Sequence, residues 1–185
     1  MKNWIIASIL ILFGSNPALA DAPPAKAQAC VACHGQSGVS SNPDWPNLAG
    51  QHADYLAIQL RAFRDGSRNN PVMVPFVAGL TDADITTLAQ YYSSQAPAAA
   101  ATGDPALVAA GESLSGYCKA CHGMAGKPVA DEWPVLAGQH APYLQKQLQA
   151  YKNGTRINPL MQAAIAHLGD AEYAALAAYY SQLAP

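Results

Sequence analysis

Charged side chains are scarce in this sequence, and no apolar run in it reaches twenty residues. Only 12% of the 185 residues are Asp, Glu, Lys or Arg, and the basic ones are spread along the chain rather than gathered in a stripe. Nucleic-acid-binding proteins need clustered Lys and Arg to displace phosphate counterions. The sequence therefore predicts no nucleic-acid partner and no polybasic membrane-binding segment.

The longest apolar run, from Trp4 to Phe13, is shorter than the roughly 20 residues of a transmembrane helix. Lys2 precedes it, and Ala18-Leu19-Ala20 follows as an Ala-x-Ala ending. This pattern is typical of a cleaved secretory signal peptide, with an uncleaved anchor as the alternative. Cleavage after Ala20 leaves nine basic against twelve acidic side chains, a net charge of −3.

The remaining sequence repeats itself at an offset of 88 residues. Trp45–Met73 aligns without a gap with Trp133–Met161, and Tyr91-Tyr92 aligns with Tyr179-Tyr180. Repeats of this length mark tandem structural units. We therefore predict a signal peptide at 1–20, a first domain at 21–96 (repeat 1), an Ala/Pro-rich linker at 97–104, and a second domain at 105–185 (repeat 2).

The periodicity within each repeat is helical, and convincing strand alternation is lacking. Tyr55, Leu56, Leu60 and Phe63 form a stripe at helical spacing that recurs in repeat 2, and Gly66 is placed to end that helix. A later helix should begin with Asp82, or Asp170 in repeat 2, as its N-cap. Two all-α units of about 80 residues bury little apolar surface, so each needs an additional stabilising element.

Each repeat contains a Cys-x-x-Cys-His motif, "CVACH" at Cys30–His34 and "CKACH" at Cys118–His122. Thiols three residues apart on a helix project from nearly the same face, and the following histidine can reach a metal at the centre of a flat ligand. This spacing is typical of c-type haem attachment, with two thioether bonds and a histidine as an iron ligand. A haem would also supply the apolar filling that each repeat lacks. We predict two covalently bound haem c groups.

Three other interpretations of the cysteines are weaker. Disulfides are the default for an exported chain with four cysteines, but they leave the histidines unexplained. A Cys₄ zinc site would have to join pairs that lie in separate repeats. A thioredoxin-like motif needs a βαβ context that this sequence does not show.

Methionine is the most plausible second axial ligand, and the chain has only four. Met1 leaves with the signal peptide, and Met124 lies only two residues after His122. Met73 and Met161 align under the repeat, each 39 residues after its histidine and each in a segment expected to be a loop. Met/His ligation fills both axial positions and is typical of electron transfer. His52 and His140 also align and remain rival ligands, although we expect them to be surface or supporting residues; His167 has no counterpart.

These motifs resemble the dihaem cytochromes c4. The resemblance rests on tandem Cys-x-x-Cys-His modules, each with W-P-x-L-A-G-Q-H, G-x-R-x-N-P-x-M and a closing Tyr-Tyr helix, and it covers Asp21 to Pro185. It implies two class I cytochrome c domains related by a pseudo-twofold axis, in the bacterial periplasm, free or membrane-associated. By position, it assigns His34 and Met73 to one iron and His122 and Met161 to the other. It also implies a quinol-oxidising complex as electron donor and a haem-copper terminal oxidase as acceptor.

Some expectations concern the surroundings of the haems and the alternatives to electron transfer. Buried haem propionates need hydrogen-bond donors, and the candidates are Arg68, Arg156, Trp45, Trp133, Gln51 and Gln139. Because the segment around Met73 is more apolar than that around Met161, we expect unequal reduction potentials. A non-enzymatic carrier is favoured over a dihaem peroxidase, which needs one open axial site, and over a fixed subunit of an oxidoreductase complex.

Overall fold

The computed structural model describes residues 22–185, so the predicted signal peptide at 1–20 lies outside the described part. Within that part the backbone is helical, with one isolated antiparallel bridge between Arg68 and Arg156 and no strand. A short 3₁₀ turn at Ala25–Ala27 precedes the first α-helix. The α-helices are α1 (Gln28–His34), α2 (Ala53–Arg64), α3 (Val74–Val77), α4 (Asp82–Ser93), α5 (Pro105–Leu114), α6 (Gly116–His122), α7 (Ala141–Lys152), α8 (Pro159–Ala164) and α9 (Asp170–Gln182). None of these helices is long and apolar enough to cross a membrane.

Helices α1 to α4 recur as α6 to α9, as the 88-residue repeat predicts. In repeat 1, α2 packs on α4, and Leu56, Ile85 and Leu88 are buried between them. In repeat 2, α7 packs on α9 in the same way, with Leu144 and Leu148 against Leu176. Leu56 and Leu60 of the predicted stripe therefore face the core of their own repeat, whereas the Tyr55 hydroxyl contacts Arg156 of the other repeat.

The predicted helix ends are correct to within about one turn, with one correction. Gly66 and Gly154 follow α2 and α7 with φ near +80°, a conformation that glycine adopts without strain. Asp82 and Asp170 are the first helical residues rather than the N-caps. Thr81 caps α4 through a capping box with Asp84, and Gly169 precedes α9. The Thr81 hydroxyl accepts the N-cap hydrogen bond that we had assigned to Asp82. The Asp84 and Glu172 carboxylates accept in turn from the N–H groups of Thr81 and Gly169.

In repeat 2, helix α5 precedes α6 and packs on α9; the equivalent positions of repeat 1, 17–26, lie only partly within the described residues. Asp104 caps α5 by accepting hydrogen bonds from the backbone N–H groups of Ala106 and Leu107. Gly111 allows close approach, because a Cβ there would lie 2.7 Å from the Cβ of Tyr179. The segment between Ser93 and Pro105 carries no helix, and the Ala101 N–H donates to the Ser181 carbonyl.

The two repeats pack about a pseudo-twofold axis. The Gln51 side chain donates to the Val135 carbonyl (2.9 Å) and accepts from the Val135 N–H (2.8 Å). Gln139 makes the same pair of bonds with Asn47 (2.9 and 2.8 Å), the residue 88 positions before Val135. The bridge between Arg68 and Arg156 joins equivalent positions, which requires that it lie on the axis. The expected all-α pseudo-symmetric arrangement is thus present.

Candidate functional site: a shared cavity with two sets of metal and thioether ligands

One cavity of about 1180 Å³ extends through both repeats and reaches the pseudo-twofold axis. Its lining is mostly apolar, and its openings are bordered by side chains of α2, α7 and the methionine segments. All eight residues that the sequence nominates for haem attachment and iron ligation line it: Cys30, Cys33, His34, Met73, Cys118, Cys121, His122 and Met161. The fold therefore gathers residues that lie about 130 positions apart into one connected space.

The cysteine pairs lie on the short helices α1 and α6, where the i, i+3 spacing places both thiols on the cavity side. All four thiols are free, so the structure gives no support to disulfides across either motif. Burial raises the pKa of the Cys30 thiol and of the Cys118 thiol. In residues 22–185 no group of three or more His, Cys, Asp or Glu side chains could hold a metal ion, which argues against zinc.

Each motif histidine is oriented by a backbone carbonyl. His34 Nδ1 donates to the Pro46 carbonyl at 2.9 Å, and His122 Nδ1 donates to the Pro134 carbonyl at 3.3 Å. Burial lowers the pKa of both imidazoles, and the carbonyls raise it less. A neutral ring that donates from Nδ1 keeps the Nε2 lone pair for a metal. A backbone carbonyl is a common partner for the second nitrogen of a metal-binding histidine, but the sequence could not have named Pro46 and Pro134.

Met73 and Met161 line the cavity in corresponding positions. Met73 follows an Asn70 turn as the N-cap residue of α3, in the loop that the sequence predicts. Met161 lies inside α8, so the prediction of a loop was wrong there; the Asn158 side chain caps that helix by accepting from the Met161 N–H. Met124 is 76% exposed and is not part of the cavity lining.

The rival histidines do not line the cavity. His52, the N-cap of α2, has Nδ1 3.0 Å from the Trp133 carbonyl of the other repeat. His140, the N-cap of α7, has Nε2 3.0 Å from the Ser40 carbonyl. Both rings therefore bridge the two repeats, a role more specific than the surface position that we expected. His167 is exposed, as expected.

Two buried arginines lie where the repeats meet. The Gln147 Oε1 accepts from Arg68 (2.6 Å) and Arg156 (2.8 Å), and the Gln59 Oε1 also accepts from both (2.8 Å each). Arg68 donates further to the Tyr143 hydroxyl at 3.1 Å, and Arg156 donates to the Tyr55 hydroxyl at 2.8 Å. We call these six residues the arginine cluster: Tyr55, Gln59, Arg68, Tyr143, Gln147 and Arg156.

The arginine cluster carries two positive charges and has only neutral partners in the described part of the chain. Arg68 and Arg156 are 8% and 6% exposed, and neither forms an ion pair there. The pKa of Tyr143 lies below its usual value. Burial alone would raise this pKa, but the positive charges of Arg68 and Arg156 lower it by more, which shows that the local potential is positive. Buried charge requires a compensating group. An anionic substituent of a cavity ligand, such as a haem propionate, would supply that compensation.

The propionate candidates separate into two groups. Arg68 and Arg156 remain suitable, and Trp45 and Trp133 line the cavity. Gln51 and Gln139 use their side-chain amides in hydrogen bonds between the repeats. Sequence reasoning missed Gln59 and Gln147. A signal for them was available, because both are polar residues within an apolar helical stripe and they recur at the 88-residue offset.

The residues therefore fit two haem groups. The cavity contains two repeated sets of thiols, imidazole and thioether, together with two uncompensated arginines. It also contains two buried hydroxyls, of Tyr92 and Tyr180, that have no partner in residues 22–185. A large apolar disc with carboxylate substituents matches both the shape and the unmet polar contacts of this space.

Comparisons with known proteins agree with this chemistry. Residues 108–184 match the family model described as cytochrome c, and residues 19–91 match that described as cytochrome c oxidase, cbb3-type, subunit III. The chain is 36% identical to a cytochrome c4 of Pseudomonas aeruginosa over 98% of this chain and 99% of that protein. It is 39% identical to a "thiosulfate dehydrogenase electron acceptor" of Thiomonas intermedia, over 93% and 86% of the two chains.

A solved structure gives the same result for the fold. Reduced recombinant cytochrome c4 from Pseudomonas stutzeri superimposes with a TM-score of 0.83 at 34% identity, covering 90% of this chain and 100% of that one. A thiosulfate dehydrogenase from Marichromatium purpuratum gives a TM-score of 0.75 at 36% identity, over 84% of this chain but only 36% of that chain.

Proposed function

The chain belongs to the dihaem cytochrome c4 family, electron carriers with two covalently bound haem c groups, and on that premise we propose that it carries electrons between proteins in the periplasm. The donor in this proposal is a quinol-oxidising complex and the acceptor is a terminal oxidase. The observation that carries the proposal is the single cavity that connects both ligand sets within one chain. Such a connection supports a short relay in which an electron received at one haem reaches the other without leaving the protein.

We assign the attachment and ligation as follows. Cys30 and Cys33 would hold one haem through thioether bonds, and His34 and Met73 would ligate its iron. Cys118, Cys121, His122 and Met161 have the same roles in repeat 2. When bound, each haem supplies an iron that gains and loses one electron. With a histidine and a methionine as ligands, the iron would keep no open site for a substrate, which distinguishes this arrangement from a peroxidase.

The polypeptide has three tasks in this proposal. The carbonyls of Pro46 and Pro134 fix the imidazole rings and increase the basicity of the nitrogen that faces the metal. The apolar cores around Leu56 and Leu176 keep water from the ligand atoms. Arg68 and Arg156 provide positive charge between the two sites, where it stabilises propionates and lowers the cost of placing two haems close together.

Export to the periplasm is part of the same proposal. It rests on the signal-peptide pattern at residues 1–20 and on covalent haem c, and peripheral membrane association is compatible with it. We also propose unequal potentials for the two haems, because the methionine segments differ in polarity. Stepwise redox titration should then show two separate one-electron waves.

The axial assignment is tested by replacing each methionine singly. Met73→Ala and Met161→Ala should each remove the Met–iron charge-transfer band of one haem and leave the other, since each thioether serves one iron. His52→Ala is the matched control, because this aligned side chain lies outside the cavity and should leave both bands intact. Loss of a band in His52→Ala, or retention of both in either methionine variant, would refute the assignment.

A second candidate donor is a thiosulfate-oxidising dehydrogenase. Two relatives, from Thiomonas intermedia and Stutzerimonas stutzeri at 39% and 37% identity, are named thiosulfate dehydrogenase electron acceptors. The Marichromatium purpuratum enzyme contains a region similar to this chain as part of a longer one. Stopped-flow reduction of the oxidised protein by such an enzyme, compared with reduction by a quinol-oxidising complex, separates the candidates. The physiological donor should reduce it much faster.

A further inference from the structure

Two buried hydroxyl groups lack a hydrogen-bond partner in residues 22–185, and both belong to the second tyrosine of a Tyr-Tyr pair. Tyr92 and Tyr180 lie 88 positions apart and are each 3% exposed. Folded proteins seldom leave a buried hydroxyl unpaired, because its lost hydration is not replaced. The same unpaired group at the same position of both repeats indicates an acceptor that is present only when the cavity holds its haem groups.

Both tyrosine rings are held in place. A Cβ on Gly38 would lie 2.7 Å from Cδ1 of Tyr92, and one on Gly126 would lie 3.0 Å from Cδ1 of Tyr180. The preceding tyrosine packs edge-on against each ring, with centroids 5.0 Å apart in both repeats. With the loop on one side and an aromatic edge on another, the ring cannot turn its hydroxyl towards solvent.

The two rings line the haem cavity, whereas Tyr91 and Tyr179 do not. Cys30 packs against the core cluster that contains Tyr92, and Cys118 packs against the one that contains Tyr180. Burial, and then the electrostatic effect of Cys30, raise the pKa of Tyr92 well above its usual value, and Cys118 acts in the same way on Tyr180. Each hydroxyl is therefore protonated and lies beside the first cysteine of its own motif.

We propose that Tyr92 and Tyr180 are positioning residues whose hydroxyls donate a hydrogen bond to the thioether sulfurs of Cys30 and Cys118. The inference rests on the haem attachment proposed above. A thioether sulfur has no proton to donate but keeps lone pairs that accept weakly, so the tyrosine must be the donor. The positive end of the O–H dipole then points at the haem edge and stabilises the electron-rich reduced state. No bond is broken and no proton is transferred.

The test is the substitution of Phe for each tyrosine in the haem-loaded protein, which removes the hydroxyl and keeps the ring. Tyr92→Phe and Tyr180→Phe should each retain two haem additions in the intact mass and show a lower thermal midpoint than the parent. Each should also lower the reduction potential of one haem, a different one in each variant. Proton NMR of the reduced protein should show two slowly exchanging hydroxyl signals, one of which disappears in each variant.

Tyr91→Phe and Tyr179→Phe are the matched controls. The Tyr91 hydroxyl donates to the Gln36 carbonyl at 3.2 Å, so its loss should lower the thermal midpoint but leave both potentials unchanged. The Tyr179 ring is buried next to Tyr180 but does not line the cavity, so removing its hydroxyl should also leave both potentials unchanged.

Three results distinguish a failure of this inference from a failure of the proposed function. Variants Tyr92→Phe and Tyr180→Phe with unchanged potentials and an equal or higher thermal midpoint would show that the hydroxyls have no acceptor, and would overturn this inference alone. If the reduction potential shifts only at pH values above the pKa of a carboxylate, the hydroxyls donate to haem propionates, and the sulfur is not the acceptor. A parent protein without haem mass would instead refute the proposed function.

Discussion

Repeat 1 and repeat 2 present the same ligand set to one cavity, but their last helices face different surroundings. The outer face of α9 carries Ala175 and Ala178, which are buried beneath α5. The equivalent positions of α4 are Thr87 and Gln90, and both are exposed. Small apolar residues allow one helix to pack closely on another, whereas Thr and Gln suit a solvated face. The residues of the site are thus nearly the same in both repeats, whereas the outer face of the last helix differs according to what covers it.

The cavity openings show a second difference between the repeats. Ile58 on α2 is 43% exposed at the opening of repeat 1, together with Val72 and Phe76. The position equivalent to Ile58 is Lys146 on α7, which is exposed at the opening of repeat 2. If redox partners exchange electrons through these openings, as the proposed function implies, the electrostatic difference should affect which partner reaches which haem.

The largest expected effect tests the role of α5. Gly111→Ala places a Cβ within 2.7 Å of the Tyr179 Cβ, closer than real contacts of this type, so α5 must move away from α9. Overpacking of this kind costs about 1 to 3 kcal/mol. We expect the free energy of unfolding, measured by urea titration of the haem-loaded protein, to fall by an amount in this range, with the loss confined to repeat 2.

Gly116→Ala is the control for this substitution, because a Cβ at this first residue of α6 meets nothing within 4 Å. Removing a helical glycine here should be neutral or stabilising by up to about 1 kcal/mol. Equal stability of the Gly111→Ala and Gly116→Ala variants would show that close packing of α5 on α9 contributes little.

A smaller effect is expected from exchanging the charge at the two openings. In Ile58→Lys a positive charge is added near the haem of repeat 1, and Lys146→Ile removes one near that of repeat 2. With hexacyanoferrate(III), an anionic oxidant, the first variant should react about threefold faster and the second about threefold slower at low salt. Stopped-flow oxidation of the reduced protein measures both rates.

Ionic strength and the charge of the oxidant provide the controls for the Ile58→Lys and Lys146→Ile variants. Both rate differences should shrink at high ionic strength because the added charge is screened. A cationic apolar oxidant such as tris(phenanthroline)cobalt(III) should reverse their order. If the oxidation rates depend neither on ionic strength nor on the charge of the oxidant, electrons do not leave through these openings.

Local patterns in the sequence were enough to predict the motifs, the repeat and most helices. Each five-residue Cys-x-x-Cys-His motif and its 39-residue distance to a methionine can be read directly from the sequence, and the 88-residue repeat shows both features twice. The predicted N-caps and the predicted loop at Met161 were wrong, because the geometry of a turn is decided by tertiary contacts as well as by the residue at its start.

The contacts between the repeats could not be predicted from the sequence. Gln51 and Gln139 were assigned to propionates, yet they hydrogen-bond to the backbone of the other repeat. Nothing local distinguishes an amide that meets a ligand from one that meets a backbone 84 or more residues away. The orientation of His52 and His140 towards the other repeat has the same origin, since it depends on how the two units dock.

The central claim is that this single chain holds two covalent haem groups, one in each repeat. The most direct measurement is the intact mass of the purified, exported protein together with its reduced-minus-oxidised spectrum. The account predicts the mass of the chain from Asp21 plus two haems and a c-type α-band. A mass without haem, or with one haem only, would contradict it.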